Sequence, residues 1–134
     1  MKIDTIIAMM KKQILIVDDV VEYVQSLGRA LSLEYDIAKA FTLEDAKKNM
    51  NNSIALALVD IRLSEDDMAN RDGIIFLGWL RDNFPSIPVV MMSAYRDFDS
   101  AVDALNLQAA GYLKKPINLK ELKELIASLL TKVE

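Results

Sequence analysis

Hydrophobic residues in this chain come in short unbroken blocks, separated by longer stretches where they recur every three or four positions. The clearest block is Ile54-Ala55-Leu56-Ala57-Leu58-Val59, which ends at once in Asp60. Ile14-Leu15-Ile16-Val17 and Val89-Val90-Met91-Met92 repeat the pattern, while Tyr35 to Ala40 and Tyr112-Leu113-Lys114 are shorter or more mixed versions. Continuous apolar blocks of this length predict strands buried on both faces of a parallel sheet. The stretches between them predict helices. Val20, Val24, Leu27 and Leu31 make one stripe of the first. Thr42, with Asp45 three residues on, opens the second, which runs to about Met50. The third spans roughly Gly73 to Asn83 and the fourth about Asp97 to Gln108. Asn118 caps the fifth, which runs from Leu119 almost to the carboxyl end. Pro85, Pro88 and Pro116 punctuate the connections, and Gly111 ends the one before strand five.

Strand and helix thus alternate five times, with no repeat, linker or low-complexity segment. This predicts an α/β fold, a (βα)5 doubly wound sheet of parallel strands covered on both faces. Right-handed crossovers leave few topologies open. Residues 1–12 stand apart as an amino-terminal extension to a domain at 13–134. Ile3, Ile6, Ile7 and Met10 either line one face of a short helix or belong to a frayed tail. The third helix is apolar over more of its circumference than one buried stripe needs, through Ile74, Ile75, Phe76, Leu77, Trp79 and Leu80. The excess would suit a cover by the amino-terminal segment or by a second subunit.

A charge cannot stay in the core of a buried sheet, so Asp60 must sit where its strand emerges. In open α/β sheets ligands bind there, outside the carboxyl ends of the strands. Asp18 and Asp19 close the first strand in the same way. If the two strands are neighbours, three carboxylates converge. Two of them about 4 Å apart repel by roughly 4 kcal/mol at an effective dielectric of 20. Ionised acids are crowded like that when a cation sits between them. The alternative for any one of them is a helix cap, a job Asp does well.

Composition narrows the choice of cation. The 134 residues are 52% hydrophobic, enough for one domain with its own core. There is no Cys, hence no disulfide and no thiolate zinc site. There is no His either, which excludes a Ser–His or Cys–His pair and a phosphohistidine on this chain. Oxygen ligands alone favour Mg²⁺, which takes phosphate oxygens readily as remaining ligands. The fourth strand ends in Ser93-Ala94 and the fifth in Lys114-Lys115-Pro116, which brings a hydroxyl and an ammonium to the same end of the sheet. The net charge is −4 and no basic run exceeds two residues, which argues against nucleic-acid binding. No apolar run approaches a membrane span, and Met1 to Met10 carries Asp4 and lacks a cleavage-site pattern, so the expected location is cytoplasmic.

Asp18-Asp19, Asp60, Ser93-Ala94 and Tyr112-Leu113-Lys114-Lys115-Pro116 together resemble the signature of the receiver domain of two-component response regulators, the CheY-like superfamily. The resemblance covers residues 13–132. It implies a flavodoxin-like strand order 2-1-3-4-5, which sets strands one and three side by side. It implies that Asp60 is the phosphoacceptor. Asp18, Asp19, Asp60 and the backbone carbonyl of Arg62 would hold Mg²⁺. Lys115 would pair with Asp60 and then with the phosphoryl group, after a cis Lys115–Pro116 bond. Ser93 and Tyr112 match the switch pair, and Arg62 and Tyr95 stand at positions that tune phosphoryl lifetime. The implied donor is a sensor histidine kinase or a histidine phosphotransfer protein. The implied reader is an effector protein or a second copy of the chain, on a face of helix four, strand five and helix five.

One departure stands out. Ser64 to Arg71 is an insertion between Asp60 and Asp72-Gly73, with Ser64 where the family often has proline. Glu65, Asp66 and Asp67 within it are expected to be solvated. Two rival classes are disfavoured. A haloacid-dehalogenase-like phosphatase needs a second Asp two residues after its nucleophile, and Arg62 stands there. A pseudo-receiver lacks an acid, the lysine or the hydroxyl, and all are present.

Overall fold

The computed structural model describes residues 10–64, 66–67, 69–94 and 98–131, with residues 98–100 described in their backbone only. Five strands and five helices alternate: β1 (Gln13–Val17), α1 (Val21–Leu31), β2 (Asp36–Ala40), α2 (Leu43–Asn49), β3 (Ile54–Asp60), α3 (Asp72–Asn83), β4 (Val89–Ser93), α4 (Phe98–Asn106), β5 (Gly111–Lys114) and α5 (Leu119–Leu130). All pairings are parallel, in the order β2-β1-β3-β4-β5. The expected flavodoxin-like fold is therefore the one observed.

The alternation along each strand splits the core in two. Leu15, Val17, Ala57, Val59, Val89 and Met91 point to one face, where Phe76, Leu77 and Leu80 of α3 and Ala104 of α4 cover them. Ile14, Ile16, Leu56, Leu58, Val90 and Met92 point to the other, under Val24, Leu27 and Leu31 of α1 and Leu122 and Ile126 of α5. A side-chain period of two sends neighbours to opposite faces, and both faces are dry. Truncating any large member of either layer to Ala costs about 2–5 kcal/mol.

The helix signals act as expected at two starts. Thr42 accepts from the Asp45 amide at 3.0 Å, and Asn118 from the Glu121 amide at 3.0 Å. Several boundaries differ from the sequence pattern. Gly111 opens β5 rather than ending the loop before it, β1 begins at Gln13 and β2 at Asp36, while β4 ends at Ser93 as expected. Helix α4 stops at Asn106, because Gln108 turns the chain through a left-handed conformation with φ 63°. On α3 the surplus apolar surface is mostly used. Trp79 stacks on Phe76 and leans on Phe84, which leaves Ile75 as the exposed member. Residues 1–9, where the sequence left a short helix or a frayed tail open, lie outside the described residues. Among the described residues no helix is long and apolar enough to cross a membrane.

Candidate functional site

Sheet register assembles the site. Val17 lies opposite Val59, so the next residues along the two strands, Asp18 and Asp60, emerge side by side. Asp18 follows Ile14 and Ile16 in the strand alternation, and Asp60 follows Leu56 and Leu58, which places both carboxylates toward α1 and α5. Asp19 joins them. One carboxylate oxygen from each of Asp18, Asp19 and Asp60 lies within 4.8 Å of the others.

These acids are not surface groups. Asp18 is fully buried and Asp60 is 6% exposed. The Asp18 amide donates to the Ala40 carbonyl at 3.1 Å, and its Oδ1 accepts from the Val20 amide at 3.0 Å. Asp18 thus closes a local turn ahead of α1 rather than capping the helix, and keeps Oδ2 for other use. That oxygen accepts from Lys115 Nζ at 2.6 Å, and Asp60 Oδ2 lies 3.4 Å from the same ammonium.

Lys115 reaches this position because β5 delivers it there. Ser93 pairs with Lys114 in register, and the Lys115 amide donates to the Ser93 carbonyl at 2.7 Å. The Lys115–Pro116 bond is cis, as expected. Lys114, one residue earlier, is exposed. The lysine expected to pair with Asp60 sits closer to Asp18, where its short contact is to the deepest carboxylate.

Burial pushes the Asp60 carboxyl up to about 7, and the Asp18 charge pushes the same way against the pull of Lys115. Burial likewise raises Asp18, outweighing Lys115 and the Val20 amide. For Lys115, burial lowers the value, but the carboxylates of Asp18 and Asp60 outweigh it and hold the ammonium charged. Lys115 thus answers the two most deeply buried of the three carboxylates, Asp18 and Asp60. The donors are all oxygen and close together, which fits a hard divalent cation.

Ser93 and Tyr112 lie on the opposite side of the sheet from the two aspartates. Ser93 is buried at the end of β4, two residues beyond Met91, and Tyr112 is the β5 partner of Met91. Strand alternation sets both on the α3–α4 side, where Tyr112 packs partly buried. Arg62 is half-buried in the loop that leaves β3. Tyr95 lies outside the described residues.

Three residues that the sequence left without a role complete the setting. A Cβ on Gly73 would fall 1.9 Å from the Asp60 carbonyl oxygen, so only glycine lets α3 start against the end of β3. Its amide donates to the Ile61 carbonyl at 2.9 Å. Asn70 folds the inserted loop back on itself, its Oδ1 accepting from the Leu63 amide at 2.9 Å and the Asp72 amide at 3.0 Å. Tyr23 of α1 brings its ring to Lys115, with Nζ 4.3 Å from the centroid. The spacing Asp72-Gly73 was the one sequence signal among these.

Residues 14–127 match the family model of the response regulator receiver domain. The chain belongs to that family. It is 32% identical over 124 residues to the DNA-binding transcriptional regulator NtrC of Proteus hauseri, covering 92% of this chain and 25% of that protein. It is 34% identical over 116 residues to the transcriptional regulatory protein ZraR of Salmonella typhimurium, covering 85% of this chain and 25% of that protein. The receiver therefore spans about a quarter of the length of the curated relatives it matches. Among solved structures it resembles a CheY-like receiver domain protein from Methanospirillum hungatei, with TM-score 0.81, 30% identity and coverage of 90% of this chain and 94% of that one. It also resembles the receiver domain of NtrX from Brucella abortus, with TM-score 0.78, 28% identity and coverage of 90% and 99%. As a receiver domain it is a signalling module, and its acidic pocket of Asp18, Asp19 and Asp60 has the donors to hold a metal ion.

Proposed function

We propose that this receiver takes a phosphoryl group onto Asp60 from the phosphohistidine of a sensor histidine kinase or histidine phosphotransfer protein. The observation that carries the reading is the convergence of three carboxylates within 4.8 Å, two of them on the half-buried ammonium of Lys115. Asp18 and Asp60 already share Lys115, and three carboxylate oxygens this close together suit a hard divalent cation that brings an anionic ligand with it.

Asp18, Asp19, Asp60 and the Arg62 backbone carbonyl would hold Mg²⁺. When bound, the ion supplies a compact divalent charge that offsets the negative charge of the phosphoryl oxygens. The chain's own residues do the rest. Asp60 in its ionised form attacks phosphorus in line; a P–O bond forms, the P–N bond to the donor imidazole breaks, and the imidazole leaves. Lys115 is 3.4 Å from Asp60 Oδ2 and is placed to turn its ammonium from carboxylate to phosphoryl oxygen. The acyl phosphate carries about two negative charges where the carboxylate carried one. Ser93 moves to donate to it, and Tyr112, on the same face, turns into the space released. The face of α4, β5 and α5 changes shape, and an effector protein or a second copy of the chain reads it.

On this reading the chain catalyses only its own phosphorylation and dephosphorylation. Residues 13–134 are the receiver and 1–12 an extension. Arg62 and Tyr95 set the phosphoryl lifetime by controlling the approach of water. An acidic chain of net charge −4 suits a cytoplasmic module that meets proteins rather than nucleic acid or membrane. Acetyl phosphate with Mg²⁺ should add one phosphoryl group, seen as a mass gain. Asp60→Asn should abolish it, as should chelation. An Asn variant that gains the same mass at the same rate would show the acceptor to lie elsewhere.

A further inference from the structure

Lys115 is held from two sides. Asp18 Oδ2 lies 2.6 Å from its Nζ on one side, and the Tyr23 ring approaches on another, with the centroid 4.3 Å away. Tyr23 is half-buried in the first turn of α1 and packs on the core layer that α1 shares with α5. An ammonium within about 6 Å of a ring centroid is attracted by the ring's electron-rich face, more strongly where water is excluded. Water is largely excluded here, because the Lys115 side chain is 14% exposed. The Tyr23 hydroxyl is buried near the Ile117 backbone without a well-formed hydrogen bond among the described residues. The face of the ring, not the hydroxyl, therefore makes the contact that matters.

A lysine side chain has many rotamers, and confining it has an entropic cost. That cost falls on the chemical step unless something confines the chain beforehand. We infer that Tyr23 is a positioning residue, whose ring seats the Lys115 ammonium beside Asp18 and Asp60 before a phosphoryl group arrives. The inference rests on the phosphoacceptor reading. It adds a residue from α1 to a site otherwise built from strand ends, and it assigns the task to an aromatic face rather than to a charge.

Two variants and two readouts test it, on the full chain. A ring face shields protons above it, so the Lys115 side-chain protons next to Nζ should be shifted upfield in the proton spectrum of the wild type. Tyr23→Phe should keep that shift and Tyr23→Leu should lose it. In Mg²⁺, affinity for beryllofluoride should fall about tenfold in Tyr23→Leu, on the order of a desolvated cation–π contact, and stay within about twofold in Tyr23→Phe. Thermal melts of both variants separate this from a general loss of fold. If Tyr23→Leu does not fold, the wild-type proton shift and the Phe variant decide. Unshifted Lys115 protons in the wild type overturn the inference. So does a folded Leu variant that binds as tightly as wild type, or a Phe variant that has lost both shift and affinity. A wild type that binds no beryllofluoride sinks the phosphoacceptor reading and this inference with it.

Discussion

The two sides of the site are built differently. On the β1–β3 side, Asp18 follows β1 and Asp60 ends β3, strands paired on both edges whose residues are almost all buried. On the β5 side, the strand is an edge of the sheet, its residues are half-buried, and Lys114 is exposed. Close packing on both faces leaves side chains one arrangement, while a half-buried edge leaves room for another. The proposed nucleophile and metal donors thus stand on the rigid side. Tyr112, which the proposed mechanism requires to turn, comes from the pliant one.

Two glycines give the strongest test of that contrast. At Gly73 an added Cβ meets the Asp60 backbone oxygen at 1.9 Å, and backbone at the end of a buried strand cannot step aside. At Gly111, in β5, it meets the Leu125 Cδ2 at 2.8 Å, the far end of a side chain that can rotate. Gly73→Ala should destabilise by about 3 kcal/mol or more and displace Asp60 enough to stop phosphoryl uptake. Gly111→Ala should cost less than about 1 kcal/mol, because alanine also loses less chain entropy than glycine on folding. Denaturant unfolding of the pair reads the difference directly. Equal costs would mean that the β5 side is as tightly built as the β3 side.

The rigid side also carries an electrostatic load, which pH should expose. Asp60 in the folded chain titrates near 7, pushed up by burial and by Asp18, against an ordinary value of 3.8. The folded state therefore holds the proton more tightly than the unfolded state. Between about pH 4 and pH 7 the native protein binds more protons, so stability falls as pH rises through that window and levels off above it. In chelator, Asp60→Asn should be more stable than wild type, and its advantage should grow from pH 4 to pH 8 to a few kcal/mol at most. Asp18 is shifted in the same direction and leaves some slope in the variant. Denaturant midpoints at each pH check this. A difference that does not change with pH would remove the charge argument and leave only packing.

Much of this was legible in the sequence, and for physical reasons. An apolar run ended by Asp60 can only be a buried strand with its charge outside, and β3 has the bounds that run predicts, Ile54–Asp60. The convergence of Asp18, Asp19 and Asp60 followed once β1 and β3 were neighbours. What stayed hidden depends on distances across space. No local pattern says that Lys115 comes closer to Asp18 than to Asp60, since a long flexible cation goes where the summed field and the packing send it. Tyr23 reads as one more apolar position on an amphipathic helix, and its contact with Lys115 joins residues far apart in sequence. Asn70 reads as a loop residue, and Gly73 shows its necessity only when α3 is laid against the end of β3.

The smallest expected effect lies where the two sides are tied together. Arg71, at the start of α3, forms an ion pair with Asp103 of α4, and so links the loop that leaves Asp60 to a helix of the proposed read-out face. Both side chains are more than two-fifths exposed, at 42% and 43%. Solvent screens such a pair, and its worth is at most about 1 kcal/mol. Asp103→Asn should therefore lower the unfolding free energy by less than that at low salt, and by nothing measurable at about 1 M salt, where the screening length is about 3 Å. Its local effect should be more uneven than its global one. Losing the pair frees α4 on the pliant side without touching the strands, so amide hydrogen exchange should quicken in residues 101–106 and stay unchanged in β1 and β3. Exchange that rises equally in α4 and in the buried strands would show that the pair acts on the whole domain and that the division between the sides is not one of mobility.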